Sequence, residues 1–361
     1  MKRILALDGG GIRGVFTLEI LLRMQTLLRE RYANPGLVLA DHFDFFAGTS
    51  TGAIIATCLC WGMTVDEILE LYVSYGKTMF TPVPWYRPIK RHLVSRFDAK
   101  PLSDMLRCMF SEDGEGEIPS LMDTPRLRKL LLVVVRNHST GSAWPLTNNP
   151  FAKYNDPTRD DSNLSIPLWK ILRASTAAPV YFDPETILLG GRPQVFVDGS
   201  ITPYNNPALI AALTATLPCY RLEWPTGPEN IRIVSMGTMR FSSGLPAKAQ
   251  NLWVGYNAAK IPPALIQGIA WEQDYACRCL GECIYGEPLD AEIGDLVGVP
   301  LPGPRWFSYV RYNQSYNARE AEDLLRTHPN VSQLDAVNSI PALRDLGRAY
   351  ATEHLRLDHL L

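Results

Sequence analysis

Phe43-Asp44-Phe45-Phe46-Ala47-Gly48-Thr49-Ser50-Thr51-Gly52 runs directly into Ala53-Ile54-Ile55-Ala56, and the reading of this junction decides the fold. A short apolar run ends in Gly-x-Ser-x-Gly, and a helix-competent run begins at once. That is the sequence form of a nucleophile elbow, in which a strand turns into a helix within a few residues. The flanking glycines leave room for the strained turn. Ser50 then stands at the tip with its Oγ exposed at a helix N-terminus, where N–H groups and the helix dipole favour developing negative charge. The same letters would also serve a plain connecting loop. The strand before them and the helix after them favour the catalytic reading.

Upstream, Ile4 to Leu7 reads as a buried strand closed by Asp8-Gly9-Gly10-Gly11-Ile12-Arg13-Gly14. Leu18, Leu21, Leu22 and Leu28 then recur at helical spacing from about Val15 to Tyr32, and Asn34-Pro35-Gly36 stops the helix. Phe43 to Ala47 is the second strand and Gly52 to Trp61 the elbow helix, ended by Gly62. Val65 to Tyr75 is a further amphipathic helix. Leu130 to Val135 is nearly all apolar, as in a strand covered on both faces. Thr147 to Asn163 reads as a long loop and Ile166 to Thr176 as a helix. Gln194 to Val197 is a strand ending at Asp198-Gly199, and Asn206-Pro207 opens a helix over Ala208 to Ala215. Ile231 to Met236 is the last clear strand. Strands alternate with helices and hairpin signals are few, which predicts an α/β protein with a largely parallel central sheet flanked by helices. Residues 1–240 form the expected catalytic core, and 241–361 a mostly helical part packed on the core or completing it.

The 361 residues suffice for one large or two ordinary domains, and the apolar (46%) and charged (20%) fractions are those of a globular protein. A formal net charge of −2 gives no electrostatic reason to expect DNA or RNA as a partner. Seven cysteines without regular spacing argue against a disulfide framework. Cys277, Cys279 and Cys283 lack the spacing of a metal site, so no metal is expected. The apolar run after Met1-Lys2-Arg3 breaks at Asp8, too soon for a signal-peptide core, and no stretch matches a membrane span. These features point to the cytoplasm. From Thr81 to Phe97, prolines break the helical pattern. There Trp85, Tyr86, Arg87, Lys90, Arg91 and Arg96 interleave aromatic and basic groups, as in a membrane contact or lid, or in a surface excursion pinned by prolines.

Three glycine-bearing turns fall at the ends of predicted parallel strands, where open α/β sheets place their sites. Gly9-Gly10-Gly11 offers successive unhindered N–H groups able to bind an oxyanion. Ser50 offers a nucleophile and Asp198 a carboxylate, which together are the parts acyl transfer needs. A triad would also need a histidine, but His42 precedes the second strand, at the wrong end. A Ser50–Asp198 dyad is the economical reading. Gly9, Gly11 and Gly14 also satisfy the dinucleotide fingerprint, but the next strand ends in Gly-Thr-Ser-Thr-Gly rather than in an acidic residue.

Asp8 to Gly14, Gly48 to Gly52 and Asp198-Gly199, in that order, resemble the patatin-like phospholipases over roughly residues 2–240. Arg173 to Pro179, Asn205-Asn206-Pro207 and Ser235 to Thr238 are similar too. The resemblance implies a three-layer fold and a lipid acyl hydrolase without a cofactor, acting through Ser50 and Asp198 on membrane phospholipids. Gly9, Gly10 and Gly11 would form the oxyanion hole, with the Thr51 N–H a further donor. Arg13 would steady that loop or meet a lipid phosphate. Ser200 departs from the small residue that often follows Asp-Gly in the family.

Cys277 to Gly281 and Gly294-Asp295-Leu296 resemble bacterial effectors of antiphage signalling. That likeness implies activation by a cyclic di- or trinucleotide, a site beyond about Leu245, homo-oligomer formation and work at the inner membrane surface. Two other classes stand beside this reading: a silent nucleotide sensor or scaffold of the same fold, and a dinucleotide-dependent oxidoreductase.

Overall fold

Alternation along each buried strand builds two cores, one on either face of a single sheet. The computed structural model of the chain describes residues 1–83, 95–241 and 254–361, with backbone alone for 254–263. In it β1 (Lys2–Leu7) turns Leu5 and Leu7 to one core and Ile4 and Ala6 to the other. β2 (Phe45–Thr49) sets Phe46 against Phe45 and Ala47 in the same way. β3 (Leu130–Asn137) divides Leu131, Val133 and Val135 from Leu132 and Val134. A strand covered on both faces has no side left for polar residues, hence the unbroken apolar run at Leu130.

The first core is covered by α1 (Gly14–Tyr32), α2 (Thr51–Trp61), α3 (Val65–Met79), α4 (Ala99–Met109) and α5 (Leu168–Ser175). The second lies under α6 (Ala208–Thr216) and the end of α7 (Val254–Leu280). α8 (Ala318–Thr327) and α9 (Ile340–His354) return to the first. Three layers result, as expected.

The sheet also takes in β4 (Ser142–Thr147), β5 (Glu185–Leu189), β6 (Arg192–Asp198), β7 (Ile231–Met236), β9 (Glu282–Tyr285) and β10 (Ser308–Tyr312). Its order is β5-β6-β3-β2-β1-β7-β10-β9, with β4 also on β3. The run from β3 through β9 is parallel. β8 (Arg240–Phe241) and β11 (Ser315–Tyr316) form a separate short pair.

Two features depart from the sequence reading. β4, β5 and β6 are antiparallel to their neighbours, so Asp198 ends a strand running against the parallel set. The overlooked signal is Gly190-Gly191, both at positive φ (53° and 73°), which turns β5 back into β6. The second is that the stretch beyond 240 adds strands as well as helices: β10 pairs with β7, and β9 with β10. Prolines before Ser308 hide β10 from a reading by periodicity. α3 also runs on to Met79, past Tyr75, and β2 starts at Phe45 rather than Phe43. The expected membrane contact at Trp85, Tyr86, Arg87, Lys90 and Arg91 lies outside the described residues.

Register then places the site. β3 pairs with β2 up to Thr49↔Val134 and with β6 from Asp198↔Val135. Its other edge is taken by β4 over Leu132 to Asn137. So β2 and β6 share one edge of β3 and meet end to end, from opposite directions, at Val134 and Val135. Close packing seals the junction. A Cβ on Gly48 would overlap the Gly52 carbonyl, and one on Gly52 would overlap the carbonyls of Leu7 and Asp8. Gly52→Ala is therefore expected to cost about 2–3 kcal/mol in urea unfolding, the upper range for overpacking. A loss within experimental error would show that the backbones can separate.

Candidate active site

Where the two strands collide, Ser50 has nowhere to go but outward. Its φ of 54° and ψ of −124° lie in territory that side chains other than glycine avoid. The turn is held by hydrogen bonds: the Ser50 N–H donates to Ser175 Oγ at 2.9 Å, and that hydroxyl donates to the Val134 carbonyl at 2.7 Å. On the helix side, the Ser50 carbonyl accepts from Ala53 N–H at 2.9 Å.

Ser50 Oγ donates to Asp198 Oδ2 at 2.8 Å. The other carboxylate oxygen accepts the Ser200 N–H at 2.7 Å, so position 200 works through its backbone and tolerates a serine. The Asp198 N–H is fixed on the Ala177 carbonyl at 3.1 Å. Burial pushes the Asp198 pKa up to about 6, and the Ser200 N–H, the Ser50 hydroxyl and the nearby Arg173 charge only partly oppose it. A carboxylate poised there is a competent proton acceptor near neutral pH. Arg173 is itself buried, with Nη2 on the Asp183 carbonyl at 2.7 Å and its guanidinium 5.3 Å from the Phe182 ring centre.

The glycine loop backs onto Ser50, since a Cβ on Gly9 would sit 3.1 Å from that of Ser50. The Gly9 N–H, expected among the oxyanion donors, donates to the Asn205 carbonyl at 3.2 Å. Among the described residues no acceptor is found for the N–H groups of Gly10, Gly11 and Thr51. They flank Ser50 in the chain or belong to the glycine loop that backs onto it. Arg13 is buried, with Nε 3.5 Å from the Gly10 carbonyl and its guanidinium 5.8 Å from the Phe241 ring centre. Of its two expected roles, these contacts are those of a loop brace. Burial lowers its pKa to about 10.

His42 lies at the other end of β2, with Nε2 3.1 Å from the Leu360 carbonyl and a pKa lowered to about 4 by burial. Among the described residues no histidine bonds to Ser50 or Asp198, and no cluster could hold a metal. Sequence reasoning missed Arg311, which pairs with Asp8 beneath the glycine loop. The available signal was a charge inside the apolar run Tyr309-Val310-Arg311-Tyr312. A nucleophile, a base near neutrality and unspent N–H donors make the arrangement capable of acyl transfer.

Residues 5–212 match the family model for patatin-like phospholipases. A cGAMP-activated phospholipase of Escherichia coli is 26% identical over 260 residues, covering 70% of this chain and 67% of that protein. One from Vibrio cholerae is 28% identical over 247 residues, covering 66% and 64%. The calcium-independent phospholipase A2-gamma of Rattus norvegicus is 30% identical over 246 residues, which is 67% of this chain and 29% of that protein. The match thus spans about two thirds of the two bacterial relatives' length.

A buried carboxylate with a raised pKa has a stability signature of fixed sign. The folded state binds the Asp198 proton more tightly than the unfolded chain does. The group's stabilisation is therefore full below about pH 4 and lost as the pH rises through about 6. Asp198→Asn abolishes that titration. It is expected to raise unfolding stability by on the order of 2–3 kcal/mol at about pH 7 and by little at about pH 4. Urea titrations at the two pH values check this, and an equal effect at both would contradict the burial argument.

Proposed function

The chain belongs to the patatin-like phospholipase family, and from that premise we propose that it is a serine lipid acyl hydrolase working through a Ser50–Asp198 dyad. The observation that carries the reading is the 2.8 Å hydrogen bond between a strained elbow serine and a buried carboxylate. Family membership makes the dinucleotide spacing of Gly9, Gly11 and Gly14 a coincidence.

In this mechanism Asp198 accepts the Ser50 proton as Oγ attacks the ester carbonyl. The tetrahedral oxyanion takes N–H bonds from Gly10, Gly11 and Thr51, each donor typically worth ~2.7–4 kcal/mol of barrier. Collapse breaks the ester C–O bond. The proton on Asp198 passes to the leaving alcohol, and Ser50 is left acylated. Water then attacks the acyl-enzyme, giving its proton to Asp198, and the second collapse returns that proton to Ser50 and frees the fatty acid.

The substrate we assign is membrane phospholipid, met at the inner surface of the cytoplasmic membrane. Among the described residues no helix is long and apolar enough to cross a membrane. Two bacterial relatives carry cGAMP activation in their names, which supports a cyclic dinucleotide as activator of a defence enzyme. The stretch 241–361 is the proposed regulatory part, with assembly of several copies as the accompanying change. A ligand gates activity only as far as it binds the active state better than the resting one.

Ser50→Ala is expected to abolish ester hydrolysis without loss of folding, and Asp198→Asn to cost as much. The double variant should be no worse than either single one, because the pair acts as a unit. A further loss in the double variant would mean independent roles. On soluble esters kcat should fall as the pH drops through about 6, when Asp198 takes up its proton; a flat profile down to about pH 4 would rule it out as the base. Vesicle assays with a panel of cyclic di- and trinucleotides check the gating. Full activity without any of them, unchanged on addition, would remove the activator and leave the hydrolase.

A further inference from the structure

The glycine loop is anchored from behind by a residue outside the family-matched stretch. Asp8, the residue before Gly9, is buried, and both its oxygens are taken by Arg311 of β10. Nη1 meets Oδ1 at 2.8 Å, and Nη2 meets Oδ2 at 2.6 Å. Arg311 Nη1 also donates to Ser235 Oγ at 2.7 Å. The two side chains are 4% and 3% exposed. Removing such a pair from water costs about as much as its attraction returns, so it is a poor source of stability. What a two-pronged pair does supply is direction.

Besides Asn205, which accepts the Gly9 N–H and lies within the matched stretch, two further holders of the loop come from the later part of the chain. Thr238 Oγ1 donates to the Gly9 carbonyl at 3.0 Å, and the Ile12 N–H is tied to the Leu334 carbonyl at 2.8 Å. Thr238, Arg311 and Leu334 all lie beyond residue 212, where the family match ends. Behind Arg311 the buried charges continue. Arg278 of α7 grips Asp274 through two bonds of 2.9 and 2.8 Å, and Asp274, Arg278 and Arg311 line one small cavity.

We propose that Arg311 is a positioning residue for the hydrolysis. By holding both oxygens of Asp8 it sets where the N–H groups of Gly10 and Gly11 point relative to Ser50. It thereby makes the oxyanion loop answer to the C-terminal third. The inference rests on the hydrolase reading of Ser50. Its leverage is large because a donor misplaced by about 1 Å can cost roughly a hundredfold in rate. Lysine would keep the charge but lose the second bond.

The test uses the full chain with Arg311→Lys and, as an isosteric alternative, Asp8→Asn. Each is followed by kcat and KM on a soluble short-chain ester and by hydrogen exchange of the loop amides. Expected are a kcat lower by roughly tenfold or more with KM within about twofold. The Gly9 and Ile12 amides should exchange roughly tenfold faster, while those of β2 and α2 keep their rates. A purely structural pair would lower the melting temperature and loosen the whole sheet while leaving kcat per folded molecule within about twofold; that result overturns the proposal. If Arg311→Lys does not fold, Asp8→Asn decides by the same criteria. If the unaltered protein hydrolyses no ester even with the panel of cyclic di- and trinucleotides present, the reading of Ser50 fails. Loop exchange then still decides the positional claim, and unchanged rates at Gly9 and Ile12 overturn it.

Discussion

Two strands compete for one edge of β3, and the rest of the site depends on that collision. β2 comes up the parallel set and must stop where β6, running the other way, stops as well. The pairings Thr49↔Val134 and Asp198↔Val135 leave no room for either chain to continue. Ser50 is forced into a conformation unfavourable for a serine, and Asp198 is forced out of water. Ser50 and Asp198 are neighbours because adjacent residues of a third strand place them there, which is a more rigid arrangement than any loop could give.

That arrangement is maintained against its own local cost. The strained turn at Ser50 persists because the Ser175 hydroxyl and the closely packed glycines leave no alternative. The carboxylate persists because the Ser200 N–H and Ser50 Oγ donate to it, while the Asp198 N–H is held on the Ala177 carbonyl. Burial raises its pKa to about 6, which costs stability and gives the proposed dyad a carboxylate that can take up a proton near neutrality. Stability given up at a site in exchange for reactivity is a common trade. The glycine loop follows the same pattern, since Gly9 spends its N–H on the scaffold and leaves those of Gly10 and Gly11 unspent.

Much of this was legible in the sequence because the constraint is local. An apolar run, a Gly-x-Ser-x-Gly turn and a helix say on their own that Ser50 sits at an elbow, and Asp198-Gly199 says that a strand ends at a carboxylate. The direction of β6 was not legible, because direction is decided by a two-residue turn at Gly190-Gly191 and by pairing across 60 residues of chain. The commitment of the Gly9 N–H to Asn205 was hidden too, since a glycine shows nothing of where its backbone hydrogen points. Arg311 was hidden for another reason. A charge inside an apolar run says that a partner must exist, but the partner lies 303 positions away and only the fold identifies it as Asp8. Periodicity reports burial, and it does not report which buried groups meet.

The central claim is that Asp198 activates Ser50. A fluorophosphonate probe followed by intact-mass and peptide mapping tests it most directly, with and without a cyclic dinucleotide present. The account predicts a single adduct on Ser50 whose rate of formation rises with pH through about 6 and which is lost in Asp198→Asn. An adduct on another residue, or labelling of Ser50 at an unchanged rate in Asp198→Asn, would contradict it.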